Sequence, residues 1–404
     1  MPKALHLHHI KNDTMNPSAQ GWIKKLLKEI EKKDAIFNFN EEAFYNTLRN
    51  CGFIYGSNLG IVGDTINKKD LTEEELCKTN LLLTLLYTHN NSTSKTSFID
   101  SVINFYTDIN ELKISYFQEL LGGKKSSEQL EKIIHKRVQI DANVLTKNFN
   151  YFIINALLFI DVLAYQEFLK NNTISIDYIK NLEAAIETIS LDVLNSKTRK
   201  NQYDESLIKL FESSLRFKDN VHVNYKKAIE IIKTKQEKYY VLDLACMATW
   251  GDRTIDDNEQ QFLIQLGTDL NLHTSRINQS INTVNHFYTT NKDNIALLSS
   301  KNIVQSFYNN SSKMVNKLIT RNSKRLYQEL KDSKELMILL SQSTVRDLNS
   351  EEQKKVQEQL LDVFKSIPSL AIFILPGGAL LLPLVIKFIP KLLPSAFDDN
   401  RIDD

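Results

Sequence analysis

The chain has 404 residues, 42% of them hydrophobic and 25% charged, a balance that supports folded cores and excludes a disordered chain. A formal net charge of +1 gives no overall positive field for nucleic acid, and no direct nucleic-acid site is evident. The three cysteines, Cys51, Cys77 and Cys246, form no CxxC pair, which argues against a zinc knuckle or a disulfide framework.

The N-terminal stretch, Met1 to Asn16, has no apolar run with basic and small-residue flanks, so no secretory signal is expected. The region before the C-terminal segment is therefore expected in the cytoplasm. His6, His8 and His9 cluster in this unpatterned tail and read as surface residues rather than metal ligands. From Ser18 to Ile367 there is no proline, and from Lys124 to Trp250 no glycine, which removes the main helix breakers. Trp22, Leu26, Leu27 and Ile30 give a first helical stripe. Thr72, with Glu75 three residues on, forms a capping box that opens a helix over Glu73–Tyr87. Gly122-Gly123 and the polar run behind it mark a boundary. Phe149 to Leu169 is apolar but interrupted by Asp161 and Gln166, and reads as a buried core helix. A softer boundary lies near Arg216 to Val223. The pattern predicts an all-α fold with helical units over 1–122, 123–220 and 221–350, followed by a distinct segment over 351–404.

Around Gly251 one helix (YYVLDLACMATW) ends, and a second begins with Asp256 as N-cap and Glu259 three residues later, burying Phe262, Leu266 and Leu270. Asp252, Asp256 and Glu259 could together serve a hard cation, because calcium and magnesium take several carboxylate oxygens. The spacing is not that of an EF-hand, and Asp256 with Glu259 is equally explained as a capping pair worth about 1 kcal/mol. The stretch resembles the tellurite-resistance B-like helical module, with Gly251-Asp252-Arg253, Ile255 and Glu259 in the places of its turn motif. There is no glycine-rich phosphate loop, G-x-S-x-G elbow or H-E-x-x-H helix. A non-enzymatic protein with no cofactor is expected.

Five of the seven prolines crowd into Pro368 to Pro394. From Ile367 to Ile386 the chain reads IPSLAIFILPGGALLLPLVI, twenty residues without a charge. As helix this run would measure about 30 Å, the thickness of a hydrocarbon core. Pro376, Pro383 and Pro390 fall seven apart, on one face, and each frees a backbone acceptor. A proline-kinked apolar helix or helical hairpin that needs packing partners is predicted, with self-association or packing against an amphipathic helix over Glu351–Lys365 as the means. That helix carries Val356, Leu360, Val363 and Ile367 at coiled-coil-like spacing. Lys387 and Lys391 lie beyond the run, where they would reach an interface.

This string is similar to the membrane signature of the leucine-zipper and EF-hand-containing transmembrane protein family of the mitochondrial inner membrane and its bacterial biofilm-associated relatives. The residues that carry the resemblance are Pro368, Pro376, Pro383, Lys387, Pro390 and Pro394, closing with Ser395 and Phe397. The resemblance implies an inner-membrane location, a lipid contact, a tie to cation/proton (K+/H+) exchange and ion homeostasis, and ribosome binding. By proline spacing Ala379 stands where the family has a membrane Glu. Most of the family's ribosome-binding region, its zipper and its EF-hand are expected beyond Phe397. Three readings follow: a membrane-associated, ribosome-binding adaptor at a bacterial inner membrane, a component of cation/proton exchange, and a soluble helical scaffold whose apolar C-terminus folds into its own core.

Overall fold

In the computed structural model the described residues form sixteen α-helices and one 3₁₀ turn, with no strand among them. Those residues are 15–30, 38–64, 71–111, 126–138, 155–197, 223–249, 255, 257–291, 295, 303–367, 370, 373 and 382–392. The fold is all-α, as the distribution of prolines and glycines predicts.

The first eleven helices share one apolar core that runs from Met15 to Ile295. They are α1 (Trp22–Ile30), α2 (Glu41–Asn50), α3 (Glu73–Asn90), α4 (Phe98–Glu111), α5 (Ser127–Val138), α6 (Phe159–Asn171), α7 (Ile176–Ser196), α8 (Tyr225–Ile231), α9 (Lys235–Thr249), α10 (Asp257–Asp269) and α11 (Thr274–Asn291). Gly122-Gly123 and residues 216–222, where boundaries are expected, lie outside the described residues.

Helix α3 is the hub, packed on α4, α5 and α6. The expected capping box is present: the Thr72 hydroxyl accepts from the Glu75 amide at 3.2 Å, and the Glu75 carboxylate accepts from the Thr72 amide at 2.9 Å. Because α3 is buried on nearly every side, its polar residues need internal partners. The hydroxyls of Thr79, Thr84 and Thr88 each donate to a carbonyl one turn back, at 2.7–2.8 Å. Asn80 donates to Asn58 and the Gly60 carbonyl, and accepts from the Val62 amide, which fixes the loop in front of α3.

The predicted core helix over 149–169 is α6, beginning at Phe159 after a turn at Leu157-Leu158; residues 149–154 lie outside the described residues. Asp161, the charge that interrupts the apolar run, is fully buried. Arg137 of α5 donates to it at 2.6 and 3.2 Å, and the Tyr106 hydroxyl at 3.2 Å.

A second core runs from Val315 to Ile389 and is built by α12 (Ile303–Arg321), α13 (Ser323–Lys331), α14 (Lys334–Gln342), α15 (Ser350–Ser366) and α16 (Leu382–Leu392). The predicted amphipathic helix over 351–365 is α15, but its buried stripe is Val356, Leu360 and Phe364. Val363 is half-buried against the same core and Ile367 is buried; positions i+7 and i+8 from Val356 flank the inward face of a helix, and the neighbouring helices take Phe364 the deeper of the two.

Candidate functional site

The candidate site is the C-terminal bundle, where the proline-punctuated segment meets the rest of the chain. Asn349 caps α15, accepting from the Glu352 amide at 2.9 Å while Glu352 accepts from the Asn349 amide at 2.9 Å. Arg346 clamps the same carboxylate with two hydrogen bonds, at 2.6 and 2.7 Å. Donation from Arg346, then from the Asn349 amide, holds the Glu352 carboxyl at about 2, so the cap stays ionised. Across the α14–α15 seam Glu335 accepts from Lys355 at 3.1 Å and from Gln359 at 3.0 Å.

The described residues of the apolar segment enter this bundle. Ile367, Leu370 and Phe373 are buried, as are Leu382, Val385 and Ile389 of α16, which packs on α12 and α14. Phe364 and Phe373 meet with ring centroids 5.0 Å apart. Each of these side chains contributes roughly 1.5–3 kcal/mol when fully removed from water, which is reason enough for the segment to close the core.

Pro383 is the second residue of α16, where the amide has no helical acceptor, whereas Pro390 falls in its last turn and leaves the carbonyl of residue 386 without its helical donor. Pro383 and Lys387 lie on the exposed face of α16. Pro368, Pro376, Pro394, Ser395 and Phe397 of the signature lie outside the described residues, as does Ala379. No described helix is long and apolar enough to cross a membrane.

Of the acidic trio read as a cation site, Asp252 and Asp256 lie outside the described residues. Glu259, on the first turn of α10, is fully buried and 3.3 Å from the ammonium of Lys197, itself 1% exposed, at the end of α7. Its carboxylate is thus held by a cation, which leaves it poorly placed to serve a second one. Among the described residues no three His, Cys, Asp or Glu side chains are grouped to hold a metal ion. The three cysteines are buried and form no disulfide, and burial pushes the Cys77 and Cys246 thiols well up.

The charged networks that sequence reading missed are long-range. Asp243 of α9 is fully buried and takes Arg49 of α2 at 3.1 Å, Arg276 of α11 at 3.6 Å and the Tyr45 hydroxyl at 2.8 Å. Glu75 takes both terminal nitrogens of Arg321 at 2.8 Å. Apart from Arg276, these partners lie 194 to 246 residues apart and leave no local signal.

The chain is thus an all-α protein whose C-terminal bundle takes in Ile367, Leu370, Phe373 and α16 from the proline-punctuated segment. Residues 348–404 match the family model described as LETM1-like, RBD, a ribosome-binding domain, and this agrees with the family resemblance carried by the prolines. The match begins one residue before the Asn349 cap and includes α15 and α16. The segment read from sequence as a membrane motif lies within the residues that match this model. No curated protein and no solved structure matches the chain.

Proposed function

We propose that this chain is a non-enzymatic helical adaptor that contacts the ribosome through residues 348–404. The observation that carries this reading is the match of that segment to a ribosome-binding domain. The bundle supports it physically. With the apolar side chains turned inward, α15 and α16 leave polar and charged residues outside, Lys354, Lys365 and Lys387 among them. Lysines at a rigid surface suit a phosphate-rich partner. The test is co-sedimentation with ribosomes at low salt. The full chain pellets with ribosomes, a chain ending at residue 347 does not, and Lys387→Glu weakens the association. A full chain that stays in the supernatant sinks the proposal.

The burial of Ile367, Leu370, Phe373, Leu382 and Val385 favours the reading in which the apolar run closes its own core. Attachment at a bacterial inner membrane, with the N-terminal region on the cytoplasmic side, rests on the uncharged run of 367–386. It would require that run to leave the bundle for lipid. Carbonate washing of membranes separates the two. Release of the full chain supports the closed bundle, whereas retention that is lost on truncation at Lys365 supports lipid insertion.

A further inference from the structure

The corner where α9 meets the α10–α11 turn holds a recess of about 330 Å3 whose charge has one sign. Lys235, Lys238 and Tyr239 of α9 line it, together with Asn271, His273 and Arg276, and no carboxylate does. The first turns of α9 and α11 both contribute, so the positive ends of two helices flank the recess. The opposing end of α10 is quiet. Asn271, at φ 55°, closes a Schellman turn in which the amides of Asn271 and Leu272 donate to the Thr268 and Gly267 carbonyls at 2.8 and 2.9 Å.

Arg276 is the second observation. It is 6% exposed, and its guanidinium lies 3.7 Å from the centroid of the Tyr239 ring. Nη1 donates to Gln279 at 3.2 Å and Nη2 stands 3.6 Å from Asp243, but Nε has no partner. Asp243 is already taken by Arg49 and by the Tyr45 hydroxyl. Two buried guanidiniums therefore share one carboxylate, and one positive charge is uncompensated. The nearby acids are engaged. Glu42 stands 3.6 Å from Lys235 at the rim, and Glu237 accepts from the Lys233 and Thr234 amides and the Tyr178 hydroxyl on another side of α9. Asp269 is held by Tyr225 and Gln265.

We propose that this recess binds the phosphoryl group of a small phosphorylated ligand. Its cationic groups at neutral pH supply donors only, which selects an acceptor-rich anion. A phosphate dianion beside Arg276 would supply the missing counter-charge and meet Lys238 and His273. The volume admits a phosphoryl group with a small substituent.

Calorimetric titration of the full chain with inorganic pyrophosphate at fixed ionic strength tests this, with circular dichroism as the check on folding. Saturable binding is expected, and Lys238→Glu should weaken it about tenfold or more, as loss of a charge-assisted contact does. Lys331→Glu, the same charge change on exposed α13, should leave affinity within about twofold. Arg276→Gln should abolish binding. Should that variant not fold, Lys238→Glu carries the comparison. No saturable heat at millimolar pyrophosphate overturns the proposal, as does equal weakening by Lys331→Glu. Binding of a single-stranded oligonucleotide without binding of pyrophosphate also overturns it, because the site would then belong to a polymer. None of these outcomes depends on ribosome association.

Discussion

Glu73, Glu74 and Glu75 are consecutive on the first turn of α3 and meet three different environments. Burial pushes the Glu73 carboxyl up to about 7, against donation from the Asn58 backbone. Glu74 lies 2.5 Å from the buried ammonium of Lys78. Burial also pushes Glu75 upward, but the Arg321 guanidinium and the Ser18 hydroxyl more than offset it and leave that carboxyl below its ordinary range. The two perturbed groups act on stability in opposite directions. Glu73 titrates higher in the folded state than its ordinary 4.5, so the folded state holds the extra proton between those values. Its contribution is complete below about pH 4.5 and is lost as pH rises through about 7. Glu75 contributes fully above the ordinary carboxylate range, and that contribution is lost as pH falls through its depressed value. Glu73→Gln should therefore match the parent chain at about pH 4 and exceed it at about pH 8, by about 1–2 kcal/mol once the solvent contact of this half-buried group is allowed for. Urea unfolding at the two pH values reads the difference, and an equal effect at both would show that ionisation is not its source.

At the scale of elements, Gly267 of α10 lies close against Ile277 of α11. A Cβ at Gly267 would stand 2.4 Å from Cγ1 and 2.5 Å from Cδ1 of Ile277. Gly267→Ala gains about 1 kcal/mol of helix propensity, but overpacking costs about 1–3 kcal/mol. A net loss of about 1 kcal/mol is expected, and in an Ile277→Ala background the same change should become stabilising. A thermal double-mutant cycle measures the reversal. Features of this range divide by how local their cause is. The Thr72–Glu75 box and the limits of α15 were legible because three or four neighbouring residues decide them. The inward face of the apolar segment was not, since an uncharged run suits hydrocarbon and a protein core equally. Val363 and Phe364 are both apolar neighbours, and only the packing partner chooses between them. The recess at α9 and α11 was also hidden, because Lys238 and His273 are unremarkable charges until the turn after α10 brings them together.

For the whole molecule the governing contact is between the two cores. Arg321, at the end of α12, reaches into the first turn of α3 and binds Glu75 through both terminal nitrogens, while the Lys317 ammonium donates to the Leu71 carbonyl. The pair is nearly dry, with Arg321 12% and Glu75 1% exposed at the side chain. Removing one partner leaves an unpaired buried charge, whereas removing both leaves none, and this asymmetry separates a structural latch from a surface ion pair. Arg321→Met alone should cost about 3–5 kcal/mol, and the double variant Arg321→Met with Glu75→Gln should recover more than half of that. The same variants test which body carries partner recognition. If residues 348–404 contact the ribosome by themselves, the double variant will co-sediment as the parent chain does, because the second core is built by α12–α16 and needs no residue of α3. Loss of co-sedimentation in a double variant whose helical circular dichroism is intact would instead mean that the contact surface needs the bundle seated on α3, and that the adaptor binds as one body.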